Sequence, residues 1–408
     1  MSLLLLLKTE NKVPHGFAIE HRSKAGVLKN RWDNTASDIS WEWNARGGCG
    51  TAEFTLIGTY TDYSIEADDD IQIYQKDIST GSGKVVYRGF ISSWERSLSS
   101  SESISVACDG YFSKLDRYVL NDAGDPIVYS GMGVEGIVSD FVDTFIGPNS
   151  TPTIIKGTID ASSFAPDSIE FKTTVKDALA TLAGLTDPPV EYGIDEKLQL
   201  YWRETTQTVR NKFWIGHNVS QYSELNETEG IINKVYFEGN TSSGVVFTAT
   251  GSSDNSQTNY GLHEAVISNS SINTNSTANQ YITATLKYNS RPKSKIRANI
   301  NRLATRLEDT LPLGAVMIVD SSADQTSFIW GTAGNGGSDL TWGDADAGGS
   351  DKTWGTNKYY QIERIRYSLN SEEGYFDIEL ELGGSRYDTP AIINRIETNL
   401  EAVRQRQI

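Results

Sequence analysis

The sequence predicts a mainly β protein with a few helices, class α+β. Three observations carry this reading. Glycine stands at 36, with 19 tyrosines and 9 tryptophans among 408 residues, a mixture that favours strands and turns over long helices. Several short runs alternate apolar and polar side chains with period two, the mark of half-buried strands. Helical spacing of apolar residues is confined to a few stretches, in the middle of the chain, near residue 280 and at the end. The charge balance bounds the function. Lys and Arg total 36 against 53 Asp and Glu, a formal charge of −17, which argues against a protein that grips nucleic acid through its phosphates.

The chain opens on Ser2–Leu7, SLLLLL, which lacks a basic leader and a cleavage site and reads as a buried first strand rather than a signal peptide. Phe17–His21, Ser40–Trp43, Thr51–Ile57 and Ile71–Gln75 read as further strands. Asp68, Asp69 and Asp70 precede the last of these and read as a solvated turn. His15 and His21 lie six apart with no third ligand at a matching interval, so no zinc site is expected. Val85–Trp94 and Ile104–Cys108 form an antiparallel pair joined by a serine-rich turn, with Cys108 as a buried thiol. Cys49 and Cys108 make no metal-ligand spacing. Residues 1 to about 120 thus read as one mostly antiparallel barrel or sandwich.

The next region changes period. Val134, Ile137, Val138, Phe141, Val142 and Phe145 lie on one helical stripe, stopped by Gly147-Pro148. A second helix has Thr173 or Thr174 as N-cap and Val175, Leu179, Leu182 and Leu185 inward. Asp187-Pro188-Pro189 ends it, and a hairpin follows with its turn at Asp195-Glu196 and its close at Trp202.

These motifs resemble a known family. A strand with Tyr87, Gly89, Phe90 and Ile91, a polar turn, and a strand closing on Gly110-Tyr111 and Leu115 resembles the first barrel of bacteriophage tail-hub proteins. The helix and hairpin are similar to the small mixed domain those hubs carry between barrels. Asn233 leading into Val235, Phe237 and a Gly239 turn resembles the opening of their second barrel, and a helix from about Thr277 to Tyr288 would bury Ala278, Ile282 and Leu286. LPLGAVMIVD and the hairpin around Ser371–Gly374 resemble its closing strands. The resemblance spans roughly residues 50–383. It implies a first tube-like barrel over 1–125, a mixed α/β domain over 126–214, a second barrel over 215–385 and a C-terminal helix over 386–408.

What the resemblance implies for function is a homotrimeric ring in the virion, at the distal end of the tail tube. It would join the tube to baseplate and tip or fibre proteins and let DNA pass without binding it. Three copies of two barrels would match both a sixfold tube and a threefold tip. Assembly would take place in the host bacterial cytoplasm, with no stable membrane insertion. The alternative is a secreted or surface β-rich carbohydrate-binding protein or glycosidase.

Two segments depart from the family pattern. Residues 294–309 read as a strand through Ile296, Ala298 and Ile300, or as a helix through Ile296, Ile300, Leu303 and Leu307. A twelve-residue repeat within 329–356 places Trp330, Trp342 and Trp354 before Gly331, Gly343 and Gly355. Thr341 and Thr353 occupy the positions where calcium-binding repeats need a bulky apolar residue. The repeat therefore reads as a duplicated hairpin forming an interaction loop. No nucleophile elbow, zinc-protease helix or phosphate loop is present, and His217 and His263 stand alone, so neither an enzyme nor a cofactor is expected. In the C-terminal helix, capped by Thr389 with Pro390 at its first position, Ile393, Ile396, Leu400 and Val403 follow a three–four–three spacing. This reads as a seam for symmetry mates or a tip protein, the alternative being a helix folded back on its own barrel.

Overall fold

The computed structural model describes residues 15–32, 36–58, 63–77, 83–98, 102–121, 124–162, 164–187, 189–205, 209–215, 219–228, 230–241, 245–300, 315–320, 356–370 and 375–383. The chain begins with β1 (His15–Arg22), β2 (Leu28–Trp32), β3 (Ala36–Asn44), β4 (Arg46–Ile57), β5 (Asp70–Asp77), β6 (Gly83–Leu98) and β7 (Glu102–Gly110), then a 3₁₀ segment, Tyr111–Arg117. The middle carries β8 (Ile127–Tyr129), α1 (Val134–Asp140), β9 (Ile155–Ile159), β10 (Ile169–Phe171), α2 (Val175–Leu185), β11 (Val190–Ile194) and β12 (Gln199–Glu204). There follow β13 (Val209–Trp214), β14 (Val219–Glu227), β15 (Lys234–Asn240), β16 (Val246–Ser252), α3 (Asp254–Tyr260), β17 (Glu264–Ser268), α4 (Asn275–Asn289), β18 (Lys293–Ile300), β19 (Ala315–Asp320), β20 (Thr356–Asn370) and β21 (Tyr375–Gly383).

Most strands join one sheet of 16, whose main path runs β14-β18-β21-β20-β3-β4-β7-β6-β5-β1-β2. The class is mainly β with helices, as the composition predicts. Among the described residues this path is open, with β14 and β2 at its ends, and no closed barrel is present. Its pairing comes directly from alternation. In β4, Ala52, Phe54 and Leu56 turn inward while Thr51 and Glu53 face water, and β7 pairs Cys108, Val106 and Ile104 against those three. A separate three-stranded sheet has the order β16-β15-β17.

Two hydrophobic cores result. One holds Trp32, Trp41, Phe54 and Ile91 together with Ile296, Ile365 and Leu380, so early and late strands close over the same interior. The other gathers Tyr111, Phe141, Phe171, Leu182 and Trp202, and also Val235, Phe237 and Ile282 from β15 and α4. Residues 235–282 therefore pack with the middle of the chain. The cores meet at β4, which pairs antiparallel with β3 and β7 and, through Arg46–Gly48, parallel with β11. The approach is so close that a Cβ on Gly48 would sit 2.1 Å from the Ile194 carbonyl oxygen, and Gly48 holds a φ of +76°.

The helical stripe is placed as its spacing predicts, with one change. After Asp140 the helix widens into a π-type turn over Phe141–Ile146, and the wider turn brings Ile146 fully inward while Phe145 is only partly buried. Thr174 caps α2 by accepting from the Asp177 backbone N–H at 3.2 Å. Asp195 shapes the β11–β12 turn by accepting from the backbone N–H groups of Lys197 and Gln199. In α4, Ala278 and Ile282 are buried and Leu286 is partly so. Residues 293–300 are extended, because pairing with β14 and β21 buries Ile296, Ala298 and Ile300 at period two. Gly239 lies inside β15 rather than in a turn, opposite Phe247. Among the described residues, no helix is long and apolar enough to cross a membrane.

Candidate functional site

Among the described residues a cluster of charge, Asp68-Asp69-Asp70, stands at the head of β5 and reaches into the interior. It is not the solvated turn that three adjacent carboxylates suggest. Asp69 and Asp70 are fully buried, because the chain here pairs with β6: the Asp68 N–H donates to the Ile91 carbonyl and the Ile91 N–H to the Asp69 carbonyl, both at 2.9 Å. Successive side chains then leave in different directions, and each finds its own counter-charge.

Asp70 receives the Arg88 guanidinium as a fork, Nε to Oδ1 at 2.9 Å and a terminal nitrogen to Oδ2 at 3.1 Å. The Tyr111 hydroxyl donates to Oδ1 at 2.8 Å and the Gln72 amide to Oδ2 at 2.9 Å. Burial, and then the Asp70 charge, push the Tyr111 hydroxyl well above its ordinary range, so it stays a donor. Asp69 Oδ2 accepts from Lys29 Nζ and meets His21 Nε2, both at 2.8 Å. Its Oδ1 is buried with no partner among the described residues. Asp68, in left-handed backbone at φ 66°, pairs with Arg117 at 3.2 Å and Lys114 at 3.4 Å. Burial pushes Lys114 below its usual value against the pull of Asp68, and its Nζ lies 4.0 Å from the Phe90 ring centroid. One tripeptide thus ties β5 to β1, β2, β6 and the 3₁₀ segment.

The sequence signal for this cluster lay on its partners. Arg88 follows Val86 and precedes Phe90 on one face of β6, and His21 ends a strand of otherwise apolar inward positions. Charge within an apolar face predicts a buried counter-charge.

A second polar locus lies where the cores meet. A cleft there is lined by Asn44, Arg46, Glu191, Gln361, Arg364 and Glu381, and the Gln361 amide donates to buried Glu191. Trp43 and Tyr201 stack beside it with centroids 6.2 Å apart. On the outer face of the sheet, Arg364 bridges Glu381 at 2.6 Å and Glu42 at 3.4 Å. Further along that face six cross-strand neighbours of β4, β7 and β6, Glu53 and Thr55, Ser105 and Ala107, and Ser93 and Glu95, include neither Lys nor Arg.

Cys49 and Cys108 are free and buried, and desolvation pushes both thiols far up. Among the described residues no group of three or more His, Cys, Asp or Glu side chains is placed to hold a metal ion. The repeat tryptophans Trp330, Trp342 and Trp354, the helix positions Ile393, Ile396, Leu400 and Val403, the Ser2–Leu7 strand and His217 lie outside the described residues.

No protein-family model matches the sequence, and no curated protein matches it. Solved structures do. The tail protein from Neisseria meningitidis MC58 is similar with a TM-score of 0.59 at 12% identity, over 91% of this chain and 97% of that one. The 43 kDa tail protein of prophage MuSo2 from Shewanella oneidensis gives 0.57 at 13%, over 90% and 98%. Prophage tail protein gp18 from Listeria monocytogenes EGD-e gives 0.53 at 10%, over 95% and 99%. The chain has the fold of phage tail proteins along nearly its whole length.

Proposed function

We propose that this chain is the structural hub of a phage tail or baseplate, a trimeric ring that joins the tail tube to tip or fibre proteins and lets DNA pass. The observation that carries the reading is the fold shared over 90–95% of the chain with three tail proteins, two of them from prophages. Its role is architectural rather than catalytic, and its place is the virion. In this reading the strands of residues 1–125 and of 215–385, which share one core, supply two tube-like halves per copy, six in the ring. The C-terminal stripe Ile393, Ile396, Leu400 and Val403 contacts symmetry mates or the tip, and the loop of Trp330, Trp342 and Trp354 contacts a neighbouring subunit. The patch of Glu53, Thr55, Ser105, Ala107, Ser93 and Glu95, which holds no Lys or Arg, fits part of a channel wall that repels DNA.

Particle mass tests the ring: the purified chain should form a species of three times 44.9 kDa. A monomer at all concentrations sinks the trimer. Removing residues 389–408 should leave the melting temperature unchanged and abolish joining to the tip, whereas a destabilised chain refutes the assigned contact. Tight binding to duplex DNA at physiological salt would remove the channel argument.

A further inference from the structure

His21 on β1 is fully buried, with its ring stacked on Trp32 at 5.1 Å. Both ring nitrogens are engaged, and the engagement fixes which one carries the proton. Asn30 Nδ2 lies 2.8 Å from the Tyr63 carbonyl oxygen, which can only accept, so the amide presents its nitrogen there. The same nitrogen lies 3.2 Å from His21 Nδ1, which must therefore be the bare, accepting nitrogen. The ring proton then sits on Nε2 and points at Asp69 Oδ2, 2.8 Å away.

The negative charge of Asp69 does not call for a second proton on the ring. Lys29 Nζ at 2.8 Å and the Glu66 backbone N–H at 3.2 Å already converge on the same Oδ2. A proton added at Nδ1 would face the N–H of Asn30, donor against donor. The charged groups that face the ring are Asp69 at the head of β5, Lys29 on β2 and Glu66 before β5. Burial lowers the affinity of the ring for that proton, more than Asp69 raises it; Lys29 lowers it further and Glu66 raises it.

We propose that His21 is an acid-operated latch on the edge strand β2. When acidity forces a second proton onto the ring, Asn30 gives up either His21 or the Tyr63 carbonyl, and β2 opens from β1. Among the described strands β2 pairs with β1 alone, so beyond that ladder and the packing of Trp32 on Phe54 and Tyr63 its hold rests on this locus: Lys29 on Asp69, Asn30 on His21 and Tyr63, and Trp32 against the ring. The sign follows from linkage. The open strand exposes a histidine of ordinary affinity, near 6.5, and the closed strand holds one of lower affinity. Opening therefore takes up a proton. The closed state is fully stable above about pH 6.5 and weakens as pH falls towards the lowered value, by up to about tenfold per pH unit.

Hydrogen exchange of the full chain tests this. After correction for chemical exchange, protection of residues 27–32 should fall between about pH 7.5 and about pH 5, by at most about thirtyfold. His21→Gln keeps an amide N–H for Asp69 and an oxygen for Asn30 but takes no proton, so its protection should not change with pH. Unchanged protection in the unaltered chain overturns the latch, as does an equal fall in H21Q. Nitrogen NMR of the His21 ring gives a reading that needs no variant. An Nε2–H tautomer near neutral pH with a midpoint below 6.5 supports the latch, and an Nδ1–H tautomer or a midpoint above 6.5 overturns it.

Discussion

Two sets of ion pairs on one sheet use the same residue types under opposite conditions. At the head of β5, Asp70 has no exposed surface and Arg88 has 18%. On the outer face, Arg297 and Arg364 share Glu381, with side-chain exposures of 68%, 33% and 28%. The outer ladder can be broken at little cost because water replaces each lost partner. The buried set cannot, because a carboxylate or guanidinium left alone in the interior keeps its desolvation cost with nothing to offset it. The buried set therefore fixes the arrangement of five elements, while the outer one decorates a face already held by Ile365, Leu380 and Ile296 beneath it.

Truncation measures that contrast most directly. Asp70→Ala should cost about 3–5 kcal/mol in denaturant unfolding, since Arg88, Gln72 and the Tyr111 hydroxyl lose their common acceptor. A loss no larger than that of an outer-face variant would erase the distinction. A smaller effect is expected from Lys114→Met, which keeps the packing on Phe90 and leaves Asp68 its Arg117 partner. Its unfolding midpoint should move by about 1 kcal/mol or less, in either direction.

Acid provides a comparison at the partly exposed end of the same cluster. Asp68 lies below its usual 3.8: burial pushes it up, but hydrogen bonding from Arg117 and the charges of Lys114 and Arg117 prevail. Its contribution is therefore complete above about pH 4 and lost as pH falls through the lowered value. Asp68→Asn should flatten that limb of a stability–pH curve; an unchanged limb would show that Asp68 contributes nothing there. The least change belongs to the outer face. Arg364→Ala should cost about 1 kcal/mol at most and less in molar salt, as read from melting at two ionic strengths.

Much of the fold was legible in the sequence because it rests on local period. Val85–Trp94 and Ile104–Cys108 show period two and lie in β6 and β7; the α2 stripe and its Thr174 cap are where spacing and chemistry put them. Strand β2 was not legible, since LKNRW is an edge strand with two cationic side chains and shows no apolar alternation. The division into cores was also hidden. Phe237 and Ile282 have the pattern of any inward residue, and nothing local says that they pack with Phe141 and Trp202. The acidic cluster was misread for a related reason. Three adjacent carboxylates look solvated until Arg88, Lys29 and His21 are brought to them from residues far away in the chain.

The crossing at Gly48 bears on how the two cores respond to force. β4 is a ladder strand in one core and, through Arg46–Gly48, a parallel neighbour of β11 in the other. A pull along β4 loads those hydrogen bonds side by side in shear, so none breaks before its neighbours, whereas a hinge would peel one at a time. Tension applied to the first core is thus delivered to the second through backbone, without a soft joint to absorb it.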